Sequence, residues 1–293
     1  MSGQAVAGRA PNAILLWGRL VRFSHTIFAM PFALSMWAYV SVARPVPILD
    51  FALIIVALVA ARTAAMTFNR LVDRDIDALN PRTKTRELPS GQLSVRSAWI
   101  LFSISAFLFF VAAGLLGLHC LVLAPIVFAV LCGYSWAKRF TPYSHLVLGL
   151  ALAMAPGGVW YALTAHFAML PVWMMFGVLC WVAGFDILYS CQDTEFDRKQ
   201  GLFSLPARFG ERTAFWIARL LHVLAIVFLV VFGWVGGLGN IYFFGLGLFG
   251  LLLLSQHRLV GPGNLERIDA AFFTRNGAAS VLYFVATLLD IYM

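Results

Sequence analysis

Long apolar runs alternate with short polar connections along this chain. A helix rises 1.5 Å per residue, so about 20 apolar residues cross a bilayer. Nine such runs are predicted, near residues 20–43, 48–77, 94–117, 119–137, 145–166, 169–195, 212–236, 239–257 and 270–292. Residues 1–13 are polar and lack the basic, apolar and small-residue layout of a cleaved signal, so the first span is expected to direct insertion. The pattern predicts an all-α polytopic membrane protein: one bundle domain over residues 1–293, with no soluble accessory module or low-complexity tract.

Composition agrees. Of 293 residues, 61% are hydrophobic and only 12% charged, and the mean hydropathy is +0.86, which excludes an ordinary soluble protein. The 21 Lys and Arg lie mostly on alternate connections. Arg9, Arg19 and Arg22 lie at the start, Arg82, Lys84, Arg86 and Arg96 between spans 2 and 3, and Lys138 and Arg139 between 4 and 5. Arg198, Lys199, Arg208 and Arg212 flank the 6–7 connection, and Arg258 and Arg267 the 8–9 connection. The opposite connections carry only Arg44. The positive-inside rule then expects a cytoplasmic amino terminus, segment 1–19 included, in a bacterial-type inner membrane, with Met293 on the far side. The net charge of +8 reports this topology, and nucleic acid is not an expected partner. Cys120, Cys132, Cys180 and Cys191 stand singly in apolar runs and read as small buried hydrophobes.

Charge concentrates at two span ends. NRLVDRDID (69–77) closes the second apolar run, and DILYSCQDTEFD (186–197) closes the sixth. Asp73 and Asp77 are four residues apart, as are Asp193 and Asp197, and the two pairs are offset by 120 residues. Spans 2 and 6 therefore hold equivalent places in two tandem halves, and membrane folds often build sites where such halves meet. Each cluster precedes a basic stretch with Pro and Gly: ALNPRTKTRELPSGQLS after the first, RKQGLFSLPARFG after the second. Gly91 and Gly201 suit tight turns, and Ser94 and Glu211 suit helix starts. Loops 78–95 and 196–211 are expected to cap the site.

Aspartates at i and i+4 share a helix face and repel, and ionised groups at membrane depth are costly. A divalent cation would offset both terms. If Asn69 is helical, Asn69, Asp73 and Asp77 make one oxygen-rich stripe, with Asp193 and Asp197 the second and Asp186 one heptad earlier on a similar face. Hard oxygen ligands favour Mg2+ or Ca2+, and Mg2+ characteristically takes one or two carboxylates plus substrate phosphates. Lys84, Arg86, Lys199, Arg82 and Lys138 could then grip phosphate oxygens. The bland alternative is a solvated helix end with local pairs such as Arg70–Asp73 or Arg74–Asp77. Two clusters at matching positions weigh against it, although Asp75 and Glu195 fall off the stripes and read as solvated partners. Asp50 and Asp290 show no evident role. The whole reads as a metal–diphosphate site beneath an apolar shelter for a hydrocarbon tail.

NRLVDRDIDALNPRTKTRELPSG and YSCQDTEFDRKQGLFSLPARFG resemble the two aspartate-rich motifs of the UbiA family of intramembrane aromatic prenyltransferases, and KRFTPYSHLVLG and FSHTIFAMPFAL resemble further family segments. The likeness covers essentially the whole chain and is strongest to the bacterial 4-hydroxybenzoate polyprenyltransferase branch. It implies nine helices around a central cavity with a lateral opening to lipid, and Mg2+ held by Asn69, Asp73, Asp77, Asp193 and Asp197. Arg70 replaces the second-position acid of the family pattern NDxxDxxxD. Tyr189 matches the aromatic four residues before the second motif, and Lys199, Gly201 and Ser204 match a KxGxxS segment. Phe203 stands where many members carry Lys.

The implied reaction is transfer of a polyprenyl group from an all-trans polyprenyl diphosphate to an aromatic hydroxy acid, 4-hydroxybenzoate first and a dihydroxynaphthoate of menaquinone synthesis second. Asp73, Asp193, Lys199 and Tyr189 are the expected catalytic residues. Lys84, Arg86, Arg22, Lys138, Arg139 and Ser204 are expected to bind substrate, with Arg22 and Arg139 as candidates for an acceptor carboxylate and His25 for its hydroxyl. Phe68, Trp136, Trp160, Tyr161 and Tyr189 are candidates to face an allylic cation. A carboxylate-based ion or proton transporter is the rival class, disfavoured because the acidic stripes lie at span ends rather than at mid-bilayer.

Overall fold

The structure, a computed structural model, describes residues 13–21 and 28–293. Helix α1 (Ala13–Leu20) and α2 (Met30–Ala43) lead into α3 (Ile48–Val72) and the short α4 (Arg74–Leu79). Then come α5 (Val95–Leu116), α6 (Leu118–Ala137), α7 (Ser144–Thr164) and α8 (Met169–Ser190). A 3-10 turn (Cys191–Asp193), α9 (Thr194–Gln200) and α10 (Leu205–Phe209) follow. Helices α11 (Glu211–Val235) and α12 (Asn240–Leu259), a π-helical turn (Ala270–Arg275) and α13 (Asn276–Tyr292) complete the chain. Among the described residues, eight helical stretches are long and apolar enough to cross a membrane, and α2 is a shorter apolar helix. The protein is an all-helical integral membrane protein.

The predicted spans hold, with corrections at their charged ends. The run 48–77 is two helices, because α3 stops at Val72, and the run 169–195 likewise stops at Ser190. The ninth run begins with a π turn rather than an α-helix. Of the first run, residues 22–27, which include Arg22 and His25, lie outside the described residues.

Without a hydrophobic force between helices in lipid, small residues that admit close approach set the packing. Helix α8 is the most enclosed span and packs chiefly against α7 and α11. A Cβ at Gly149 of α7 would sit 2.5 Å from the Leu179 carbonyl oxygen, and one at Gly184 would collide with His222. Trp181, fully buried, anchors the centre against Phe32, Phe249 and Phe185. Its Nε1 donates to Asn276 Oδ1 (2.9 Å), which also accepts from Gln256 Nε2 (2.6 Å), so one amide ties α8, α12 and α13 together. At the other end of the bundle, Asp290 accepts from the backbone N–H groups of Gly239, Ile241 and Tyr242. It thereby satisfies the start of α12 from a neighbouring helix, a structural role the sequence did not reveal.

Candidate active site

Both acidic motifs sit at a helix break of the same shape. Asp73 ends α3 with φ −89° and ψ 2°, and Asp193 ends the turn after α8 with φ −102° and ψ 6°. A new helix starts at the next residue in each case. The Asp77 N–H still donates to the Asp73 carbonyl (2.7 Å), so the i,i+4 spacing survives the bend. The tandem halves are thus repeated in the backbone as well as in the residues. The bridge-region conformation costs little for Asp, and it turns each carboxylate out of the helix line.

Each described carboxylate of the first motif faces cations. Asp73 is buried; its Oδ2 accepts from Asn69 Nδ2 (3.1 Å) and lies 3.3 Å from Lys138 Nζ, and its Oδ1 lies 3.0 Å from Arg139 Nη2. Arg139 also donates to the Val72 carbonyl (2.9 Å), an orphan acceptor at the end of α3. Asp77, also buried, receives Arg86 Nη1 on both oxygens at 2.8 and 2.7 Å, with Arg70 4.0 Å away. The local pairs weighed from sequence take another form: Arg74 pairs with Asp75 in solvent at 2.9 Å, and Arg70 is buried and directed at Asp77.

The second motif is held by the loop after the first. Asn80 Nδ2 and Arg82 Nε each donate to Asp193 Oδ1 at 2.9 Å, and Arg82 Nη2 pairs with Asp193 Oδ2. Arg82 also donates to the Tyr189 hydroxyl (3.3 Å) and lies over the Tyr189 ring, 5.3 Å from its centre. Burial draws the Arg82 guanidinium down, but the hydrogen bonds and charge of Asp193, helped by Tyr189 and Asp77, outweigh that and hold it above its ordinary value. Asp197 is buried, in hydrogen-bonding contact with Ser204. Ser204 also accepts from Ala207 N (3.4 Å) as the cap of α10. Lys138 reaches across the seam, since its charge acts on Asp193 and Asp197 while its Nζ contacts Asp73. The two acidic clusters, 120 residues apart in sequence, form one site.

Not every candidate reaches that site. Lys199 pairs with Glu195 at 2.7 Å, both side chains at least 70% exposed, so it faces solvent rather than the carboxylates. Lys84 is exposed. Phe68 packs against Trp99, Phe102 and Trp136 in an aromatic group, and neither Phe68 nor Trp136 lines the cavity described below. In the loops that follow the two motifs, Gly91 at φ +73° and Gly201 at φ +67° close turns, and Ser94 caps α5. Arg22 and His25 lie outside the described residues.

The donor chemistry fits a hard dication, since carboxylate oxygens and an amide oxygen are the groups Mg2+ takes. Among the described residues no three acidic, His or Cys side chains converge into a closed cage. Guanidinium and ammonium groups stand at each of Asp73, Asp77 and Asp193 instead. That arrangement suits a site completed by a multiply charged anion, to which the same cations can transfer.

Beside the site lies a cavity of about 510 Å3 with an apolar wall. One part is lined by Arg62, Met66 and Tyr134 and another by Trp160, Tyr161 and Phe167. Phe28, Phe185 and Phe272 add aromatic faces, and Phe272 packs at a tilt against Tyr189 with ring centres 4.2 Å apart, so the cavity wall continues toward the acidic site. Arg62 was missed in the sequence, where it reads as a lone charge inside a span. Its signal was available: it lies seven residues, two turns, before Asn69 and so on the face of the stripe.

The sequence model of the UbiA prenyltransferase family matches residues 28–278. A 4-hydroxybenzoate octaprenyltransferase of Cronobacter sakazakii is 29% identical over 281 residues, covering 95% of this chain and 96% of the relative. One from Francisella tularensis subsp. mediasiatica is 26% identical, covering 88% and 93%. Among solved structures, a UbiA homologue from Aeropyrum pernix K1 superposes with a TM-score of 0.81 at 32% identity, covering 91% of this chain and 98% of that one. A homologue from Archaeoglobus fulgidus, solved bound to GPP and Mg2+, shares the fold with a TM-score of 0.71 at 19% identity, covering 95% and 100%.

Proposed function

This chain belongs to the UbiA prenyltransferase family, and from that membership and the geometry above we propose that it transfers a polyprenyl group from an all-trans polyprenyl diphosphate to 4-hydroxybenzoate, with release of diphosphate. The observation that carries the proposal is the contact of Asn80 and Arg82, from the first motif's loop, with Asp193 of the second. It brings both acidic motifs to one place, as a single diphosphate head group requires. The named relatives favour a hydroxybenzoate as acceptor.

Asn69, Asp73, Asp77, Asp193 and Asp197 are the residues that would hold Mg2+, which when bound supplies positive charge against the leaving diphosphate. Arg82, Arg86, Lys138 and Arg139 then move part of their hydrogen bonding from carboxylate to phosphate oxygens and stabilise charge as the allylic C–O bond lengthens. The apolar cavity keeps water from the developing carbocation, with Phe185, Phe272 and Tyr189 as the aromatic faces nearest the acidic site. Arg62, in the cavity wall, offers a cation to the acceptor's carboxylate, whereas Arg139 stands at Asp73 and the end of α3, on the diphosphate side.

The test is transfer by purified protein supplied with polyprenyl diphosphate, 4-hydroxybenzoate and a competing dihydroxynaphthoate, with and without Mg2+. Prenylated 4-hydroxybenzoate formed only with Mg2+ is the expected product. Exclusive prenylation of the naphthoate would move the enzyme to the menaquinone branch, and no transfer to either would reject the reading.

A further inference from the structure

A second acid–base pair lies beneath the head-group site and has no part in the chemistry above. His145, near the start of α7, is buried, and its Nδ1 lies 2.7 Å from Asp186 Oδ2. The backbone N–H of Leu205 is directed at His145 Nε2 from 3.5 Å. That makes Nε2 the acceptor and, in the neutral ring, leaves the proton on Nδ1, pointing at Asp186. The imidazole is therefore fixed from both sides, one held by the segment that caps the site and the other holding a carboxylate inside a membrane span.

Three features mark Asp186 as more than a packing group. Its side chain keeps 24% exposure although it belongs to α8, the most enclosed span, and an ionisable residue so placed usually has a task. Tyr134 of the cavity wall feels the charge of Arg70, Asp73, Arg62 and Asp186 together, and Phe185, next to Asp186 in α8, lines the cavity, so Asp186 lies close to its wall. Among the described ion pairs, those of Asp73, Asp77 and Asp193 are with Lys or Arg, whereas that of Asp186 is with His145. The carboxylates in contact with Lys or Arg are those assigned above to Mg2+ and the diphosphate. A carboxylate held by an imidazole N–H keeps its second oxygen for a substrate proton.

We propose that Asp186 is the general base that takes the hydroxyl proton of the aromatic acceptor, and that His145 is a positioning residue that aims it and couples it to the capping segment at Leu205. The proposal rests on the prenyl transfer argued above and adds how the ring is made nucleophilic. The phenolic O–H bond breaks and its proton passes to Asp186, and the electron pair left on oxygen raises density at the ortho carbon. That carbon forms the new C–C bond to the prenyl C1 as the C1–O bond breaks with its electrons going to diphosphate. The dienone so formed loses its ring proton to a diphosphate oxygen, and Asp186 returns its proton to the carbonyl oxygen. The balance is prenylated acceptor plus protonated diphosphate, with Asp186 unchanged.

The test is an acceptor series on the full-length protein with Mg2+ and a fixed prenyl diphosphate: 4-hydroxybenzoate and ring-fluorinated analogues of increasing hydroxyl acidity. General bases contribute about 100-fold or more, so Asp186→Asn should lower kcat about 100-fold with 4-hydroxybenzoate and less than about 10-fold with the most acidic analogue. His145→Gln, which can still donate to Asp186 and accept from Leu205, should retain more activity than His145→Phe. The KM for the donor should stay within about threefold in each variant, which distinguishes lost proton transfer from a collapsed site. A loss of the same size across the whole series, or none at all, would overturn the assignment while leaving prenyl transfer intact. Wild-type protein that prenylates no member of the series would instead reject the reading on which it rests.

Discussion

Asp73 carries the densest set of contacts in the site, with Asn69, Lys138 and Arg139 all on one buried carboxylate. Asp193 is its counterpart in the other half, with Asn80 and Arg82. Changing either to Asn should lower turnover at least about 100-fold, or about 2.7 kcal/mol of barrier, measured as prenyl transfer at saturating Mg2+. Lys138→Ala should impair transfer at least tenfold more than Lys84→Ala, because Lys138 spans the two motifs and Lys84 is exposed. Arg62→Ala should raise the KM for a carboxylated acceptor about tenfold or more and leave that of the donor nearly unchanged. At this scale the two acidic clusters, proposed above as the ligand set, were legible, because acidic residues at repeated spacing beside apolar runs have few alternative uses. The partners were not. Arg82 and Lys138 meet distant carboxylates only after folding, Lys199 goes to Glu195 instead, and Phe68 and Trp136 face away from the cavity. In a chain with 26 Phe and 9 Trp, type alone says little about which ring faces a substrate.

At the scale of elements, apolar run length placed the spans to within a few residues, as at α5, α7 and α11. It could not place the breaks at Asp73 and Asp193, where the hydrophobic signal has already ended and conformation is decided by contacts to loops. Nor could it see the π turn at Ala270–Arg275, which leads into the Asn276 tie and carries Phe272 against Tyr189. Close approach of α7 to α8 holds His145 against Asp186, and it depends on a missing side chain. Gly149→Ala forces a methyl group against the Leu179 carbonyl. It should destabilise the protein by about 1–3 kcal/mol, read as a lowered melting temperature in detergent. Gly133→Ala on α6, where a methyl meets nothing within 4 Å, should leave the melting temperature nearly unchanged.

For the whole molecule, two tandem halves bring their charged ends together, and a cavity of about 510 Å3 adjoins the junction. From the distribution of Lys and Arg we propose that this end faces the cytoplasm. A cysteine introduced at Lys84 should then resist an impermeant thiol reagent in intact cells, while one at Phe167 should react. The central claim is that both acidic motifs hold one diphosphate, and a double-mutant cycle tests it most directly. The quantity to measure is Mg2+-dependent affinity for a non-hydrolysable prenyl diphosphate analogue in wild type, Asp73→Asn, Asp193→Asn and the double variant. Groups sharing one ligand should be coupled by about 1 kcal/mol or more, the double variant losing less than the sum of the singles. Strictly additive losses, or full affinity in either single variant, would contradict the shared site.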